Sequence, residues 1–257
     1  MKNLTKRLLG WLTLGVVSLL FASCLHIVEE VTVKKDGSGS YKMTMDMGEV
    51  KSMMDALKNM GEEAGEENPD GENAQTDSEE EEASGEEENS MAQMGAELSS
   101  VASSLRSIAG LSNVQEINDT SVYLFGYSFD FANIEALNKA IRVINREKYD
   151  TKVEETFRFK GGNFERLNVA DIGEQFKKTL AEAEEEDEEG NMEMVKAFFS
   201  SMTYKQVYRF PDAKVKKSSN PLSELSSDGQ SVTILLKPFD EEQQKKKPSV
   251  ATVVKLK

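Results

Sequence analysis

The 257-residue chain has one cysteine, one histidine and one tryptophan. A single cysteine, Cys24, excludes an intramolecular disulfide and a cysteine-based zinc site. With His26 as the sole histidine, metalloenzyme ligand sets such as H-E-x-x-H are absent. Any Ser/His/Asp or Cys/His arrangement would have to be assembled around a residue two positions from Cys24. No Walker-type Gly-Lys-Ser/Thr occurs, and Gly37-x-Gly39 lacks the third glycine and following helix of a phosphate loop. No apolar run reaches the roughly 20 residues of a membrane-spanning helix. Basic charge is also short: 31 Lys+Arg face 46 Asp+Glu, a formal charge of −15. Nucleic-acid binding needs a basic face, so that class is set aside. From these absences no catalytic residue, no metal site and no cofactor is expected, and the chain reads as non-enzymatic.

What is present begins at the N-terminus. Lys2, Lys6 and Arg7 precede an apolar run from Leu8 to Phe21, followed by Ala22, Ser23 and Cys24. A basic flank, a short apolar stretch and small residues before a cut are the layout of a secretory signal. Phe21-Ala22-Ser23-Cys24 resembles the lipobox of bacterial prolipoproteins, with Phe21 where the family usually has Leu. The resemblance implies that residues 1–23 are a cleaved signal peptide and that Cys24 is acylated, palmitate-type chains anchoring the mature N-terminus to a membrane. One acyl chain holds a protein only marginally, whereas two or more hold it stably. Leu25 in place of Asp after the cysteine resembles the outer-membrane sorting of Gram-negative lipoproteins. The only tryptophan, Trp11, leaves with the leader.

Removing the three leader cations takes the charge to −18, and most of it is local. Residues 61–90 hold 14 acidic and no basic residues, and residues 182–189 hold seven acidic and no basic ones. Everything else sits at +3. The 61–90 tract has almost no β-branched or aromatic residue to offset its ordering entropy, so it is expected to be a disordered acidic linker. Asp70-Gly71-Glu72-Asn73 does not match the spaced oxygen ligands of a calcium loop. The remaining residues suffice for one sizeable core, so 24–257 is expected to be a single extracytoplasmic domain around the linker.

Along the chain, residues 26–35 and Ser40–Met47 alternate with period two around Asp36-Gly37-Ser38-Gly39, which predicts a hairpin. Val50, Met53, Met54, Leu57 and Met60 recur at helical spacing, as do Met91, Met94, Leu98, Val101, Leu105 and Ile108. Two strands are expected at 111–118 and 121–131, with Tyr123, Phe125, Tyr127, Phe129 and Phe131 on a core-facing side. Asn133 is expected to cap a helix carrying Ile134, Leu137, Ile141 and Ile144. Residues 153–160 and 164–169 read as a hairpin about Gly161-Gly162-Asn163, and 171–200 reads as helical and acidic. The last third is again strand-like, at Tyr204–Phe210, Val215–Ser218, Ser231–Leu236 and Val250–Leu256, with a basic loop at Lys245-Lys246-Lys247. The expected fold class is therefore α+β: a mostly antiparallel sheet of hairpins packed with several amphipathic helices, with a disordered acidic insertion.

DGSGSYKMTMDM, LSNVQEIND, YSFDFANIEALNKAI, YKQVYRFPDAKVKKSS and SSDGQSVTILL together resemble the LppM-like group of bacterial lipoproteins. That resemblance implies a membrane-tethered α+β domain, with lipid or glycolipid binding suggested for some relatives. It carries over no functional residue, so the ligand-binding residues are unknown from sequence. The functional expectation is a lipid-anchored protein of the cell envelope, at an outer membrane, that binds a lipid, an envelope component or a protein partner. Two alternatives stand beside it. A structural or assembly factor would use the Met-rich helices as a seam and show a large exposed apolar patch. A carboxylate-based glycan hydrolase would face two carboxyl groups across a cleft, roughly 5–9.5 Å apart. A binder would show a concave apolar pocket between sheet and helices.

Overall fold

Period-two alternation turns one face of most strands into the core. The computed structural model describes residues 25–49, 51–52, 93, 95–145, 155–167, 201–245 and 249–257. Residues 1–23, Cys24, the acidic tract 61–90, most of the helical pattern from Val50 to Met60, the stretch 171–200 and Lys246-Lys247 lie outside them. Eleven strands are described: β1 (His26–Val33), β2 (Gly39–Asp46), β3 (Leu111–Asp119), β4 (Leu124–Phe131), β5 (Phe157–Lys160) and β6 (Asn163–Arg166), then β7 (Thr203–Arg209), β8 (Val215–Ser218), β9 (Ser223–Leu225), β10 (Ser231–Leu236) and β11 (Thr252–Leu256). Helix α1 covers residues 95–106, and helices α2 (Ile134–Ile144) and α3 (Glu241–Lys245) follow.

Seven strands form one sheet in the order β3-β4-β2-β1-β7-β10-β9, and four form a second in the order β5-β6-β11-β8. β1 pairs in parallel with β7, far along the chain, while its other edge pairs antiparallel with β2. The β1–β2 turn uses Gly37 at φ +82°, with Asp36 Oδ1 accepting from the Ser38 N–H and hydroxyl. The β5–β6 turn places Gly161 and Gly162 at φ +61° and +73°, the two successive positive values of a tight type I′ hairpin.

The registers stack the inward side chains of the large sheet into rows. Leu236, Tyr204, Ile27, Met45 and Phe125 form one row; Ile234, Gln206, Glu29, Met43 and Tyr127 the next; Val232, Tyr208, Val31, Tyr41 and Phe129 a third. The second sheet covers the middle of this face. Phe164 of β6 packs 5.0 Å from the Tyr208 ring, 5.6 Å from Phe210 and 5.7 Å from Phe157, all four buried.

This arrangement corrects the α+β expectation. The described chain is mostly strand, and it does not have several amphipathic helices packed on one sheet. The physical reason is that a four-stranded sheet supplies much of the apolar cover those helices were expected to give, with Phe157, Phe164 and Val254 fully buried in it. β9 was not foreseen either, because Ser223-Glu224-Leu225 is too short and polar to signal a strand.

Where helices do pack, the apolar spacing is the cause. Leu98, Ala102 and Leu105 of α1 recur at i, i+4 and i+7 and are all buried. In α2, Asn133 caps by accepting the Ala136 N–H at 2.9 Å, and Leu137, Ala140 and Ile141 face the core. Asn138 then docks α2 on β5. Its Nδ2 donates to the Phe157 carbonyl at 2.8 Å, and its Oδ1 accepts from the Phe157 N–H at 2.8 Å and the Thr156 N–H at 3.1 Å. Asn138→Ala strands buried backbone groups and is expected to cost about 2–4 kcal/mol. A urea titration checks this; a loss well below 1 kcal/mol would remove Asn138 as the fastener.

Candidate functional site

Two features of the large sheet's inner face stand out, one polar and one apolar. The polar one is centred on Glu29, which is 3% exposed. It falls in phase with Ile27, Val31 and Val33 on the buried side of β1. Arg166 of β6 reaches it from the second sheet: Nε donates to Oε1 and Nη2 to Oε2, each at 3.2 Å. The Tyr204 hydroxyl donates to Oε2 at 2.8 Å and the Tyr208 hydroxyl to Oε1 at 3.1 Å. Arg166 also lies 5.7 Å from the Phe157 ring centroid and donates to the Leu167 carbonyl. Burial alone would weaken the arginine's charge, but Glu29, with Tyr204 and Tyr208, outweighs it and holds the guanidinium pKa above its ordinary value. With each carboxylate oxygen accepting two bonds, Glu29 is saturated. The cluster fastens β1 and β7 of one sheet to β6 of the other.

The three tyrosines around it respond to the same surroundings. Burial first, and then the Glu29 charge, raise the pKa of Tyr41, Tyr204 and Tyr208 above the ordinary phenol value. In the unfolded chain these phenols ionise near pH 10, while the fold keeps them protonated. Their contribution to stability is therefore complete below about pH 10 and lost as the pH climbs above it. The melting temperature is expected to hold level to about pH 9.5 and then fall, with phenolate absorbance of these three residues rising only as the protein unfolds. Ionisation of all three in the folded protein would contradict this.

The apolar feature lies on the neighbouring strands. Met43 pairs with Tyr127 and Met45 with Phe125, so four inward side chains make a block across β2 and β4. Glu97 and Leu98 of α1 stand over it, enclosing a cavity of about 240 Å³ lined by Met43, Met45, Glu97, Leu98, Phe125, Gly126 and Tyr127. Gly126 lets β4 approach β2 here: it sits at φ +154°, and a Cβ would lie 2.0 Å from the Met43 carbonyl oxygen. Methionine adapts its shape to irregular apolar ligands, and this cavity has two. Its volume falls below the roughly 300 Å³ where drug-sized pockets begin.

Of the sequence-derived site residues, Cys24 lies outside the described residues, but the residue after it does not. Leu25 is buried and its carbonyl accepts the Thr203 N–H at 3.0 Å. The described part of the fold thus includes the residue that follows the cysteine. His26 places Nδ1 2.7 Å from the Thr203 hydroxyl on β7. The aromatic row of β4 is core: Phe125, Tyr127, Phe129 and Phe131 are buried, while Tyr123 sits in the preceding turn at φ +52°. Lys245 pairs with Glu242. Among the described residues, no group of three or more His, Cys, Asp or Glu side chains is placed to hold a metal ion, and no helix is long and apolar enough to cross a membrane. The large apolar side chains exposed among them are Val122, Leu225 and Leu235, on a turn, β9 and β10. Sequence reasoning missed the Glu29 cluster, although its phase with Ile27 and Val31 was a usable signal.

No protein-family model matches the chain, and no curated protein matches it. A solved structure that it resembles is the NMR structure of the folded domain of the LppM protein of Mycobacterium tuberculosis. The two are 10% identical, with 92% of this chain and 91% of that one covered and a TM-score of 0.40. At that level the likeness is a coarse one of chain path and leaves function open.

Proposed function

We propose that this is a lipid-anchored protein of the bacterial cell envelope whose β-rich domain holds the acyl portion of a lipid, without chemistry of its own. The observation that carries the binding half is the apolar cavity between α1 and the Met43–Met45–Phe125–Tyr127 block. Its position supports a membrane-derived occupant. Met45 pairs with Ile27, which is three residues from Cys24, or roughly 10 Å along an extended strand. An anchor on Cys24 would hold the cavity close to the bilayer, within reach of its acyl chains. The anchoring half rests on the leader and lipobox residues, and the choice of an outer membrane rests on Leu25 following Cys24.

Native mass spectrometry of the leaderless protein with Cys24→Ser, purified without detergent, tests the binding half. A discrete lipid mass is expected on the protein. Met45→Trp, which fills the cavity with an indole, is expected to remove that mass while leaving the folded far-ultraviolet circular dichroism unchanged. Bare protein, or a lipid mass retained by a folded Met45→Trp variant, overturns the assignment of the cavity.

A further inference from the structure

At the far end of the large sheet from Leu25, three turns and a helix start surround a second cavity, of about 690 Å³. Its apolar lining is Ile134, Phe159, Ala213 and Leu256, and its charged lining is Lys35, Lys160 and Lys257 with Asp36. We propose that this cavity is a binding site for a phosphoryl group carried on a small organic body, with Lys35 and Lys160 as the principal cationic contacts.

The charge pattern is the argument. None of the three lysines has a side-chain partner among the described residues, although acids stand close by. Asp36 also lines the cavity and is anionic, since the Ser38 N–H and hydroxyl hold its pKa below the ordinary carboxylate value, so three lysines face one carboxylate and the lining side chains keep an excess of positive charge. Asp212 accepts the backbone N–H of Lys35 at 3.2 Å. A neighbouring groove gives the contrast. It shares Ile134, Phe159 and Lys160 with this cavity and continues along α2 and β5. There Lys139 is paired with Glu135 and Arg158 with Glu155 and Glu165. Cations are thus neutralised along the groove and left open around the cavity. Like charges converging on one concavity repel, and an anion bound among them relieves that repulsion. Lysine ammonium groups are point-charge ligands for phosphate, whereas planar carboxylate recognition favours arginine.

The walls are fastened before any ligand arrives. The Leu256 N–H donates to the Gly162 carbonyl at 2.8 Å, joining the β5–β6 turn to β11. Lys257 and Lys214 exchange backbone bonds at 2.9 and 3.2 Å. A Cβ added to Gly161 would meet nothing within 4 Å, so the turn presents bare backbone to an incoming group. The start of α2 is already capped by Asn133, so the lysines rather than the helix end carry the attraction. Lys35 is nine residues beyond His26, roughly 30 Å along the strand direction. This site is therefore separate from the acyl cavity and stands or falls apart from it.

The test titrates the leaderless Cys24→Ser protein with glycerol 3-phosphate, with glycerol as the uncharged control, following amide chemical shifts. Saturable shifts are expected at Lys35, Gly37, Lys160 and Gly161 with the phosphate ester and not with glycerol. The Lys35→Gln/Lys160→Gln double variant, which alters exposed side chains only, is expected to bind about tenfold more weakly. Flotation with 3:1 phosphatidylcholine:phosphatidylglycerol vesicles separates the sources. Flotation that depends on the two lysines makes a lipid headgroup the carrier; its absence alongside glycerol phosphate binding makes the carrier water-soluble. No saturable shift and no lysine-dependent flotation, or shifts equal in the double variant or with glycerol, overturns the site.

Discussion

Glu29→Gln is expected to lower the unfolding free energy by about 3–5 kcal/mol, the usual loss when one partner of a buried ion pair is removed. The amide keeps the side chain's size, so packing is conserved and the change is confined to charge and hydrogen bonding. It leaves the Arg166 guanidinium buried with its countercharge gone. It also turns one carboxylate oxygen into an NH2 donor, so one of the Tyr204 and Tyr208 hydroxyls loses its acceptor while the other donates to a neutral carbonyl. Domains of this kind are stable by about 5–15 kcal/mol in total, so the variant should sit near the edge of folding. The adjacent residue is the control. Glu30 points to the other face of β1 and pairs with an exposed Arg209, with side-chain exposures of 33% and 52%. Water screens that pair, so Glu30→Gln should change stability by no more than about 1 kcal/mol. Urea midpoints at constant slope measure both. Glu29→Leu combined with Arg166→Met should recover most of the loss, because it removes two buried charges together. Equal effects at Glu29 and Glu30 would contradict the role given to the cluster.

The same pair of residues marks the limit of what the sequence makes legible. Alternation in Tyr41–Met47 and in Tyr123–Phe131 fixes which face of β2 and β4 is buried, and Asn133 announces the start of α2. These signals are local: a strand's period and a helix's cap are written within ten residues. What decides the architecture is not local. The parallel pairing of His26–Thr32 with Thr203–Arg209 joins segments 177 residues apart, and nothing in either segment names its partner. The second sheet gathers β5, β6, β8 and β11 from across the last hundred residues. Each was legible as a strand, but segments of four or five residues carry no signal of which sheet they join. A sheet was therefore missing from the expectation, and helices were expected where it lies. The cavity beside Met43 and Met45 follows the same rule. Met43, Met45 and Phe125 were legible as core-facing residues, but the gap beside them exists only because α1 stands over that block instead of β6 or β11. The cavity with the three lysines was illegible for a further reason: Lys35, Lys160 and Lys257 are ordinary surface lysines until the topology brings their turns to one end of the sheet.

Cys24→Ser is expected to abolish fatty-acid labelling and to move the protein from the membrane to the soluble fraction. The effect should be all or none, since stable retention requires two or more acyl chains and this chain has a single cysteine to carry them. The fold predicts what the substitution should leave alone. The first backbone bond of the domain is made by Leu25, whose carbonyl accepts the Thr203 N–H, and Leu25 is itself buried. The serine protein should thus have an unchanged urea midpoint while losing its membrane association completely. That closeness has a second consequence. With no spacer between anchor and β1, the end of the sheet that carries Met45 and Phe125 would face the bilayer at short range. Inserting ten Gly/Ser residues after Cys24 should preserve labelling and membrane retention but reduce lipid loading of the cavity, because loading then requires a domain that can tumble away from the surface. Labelling that survives Cys24→Ser would overturn the anchor. Loading that is indifferent to the spacer would mean that the occupant reaches the cavity from solution rather than from the membrane below it.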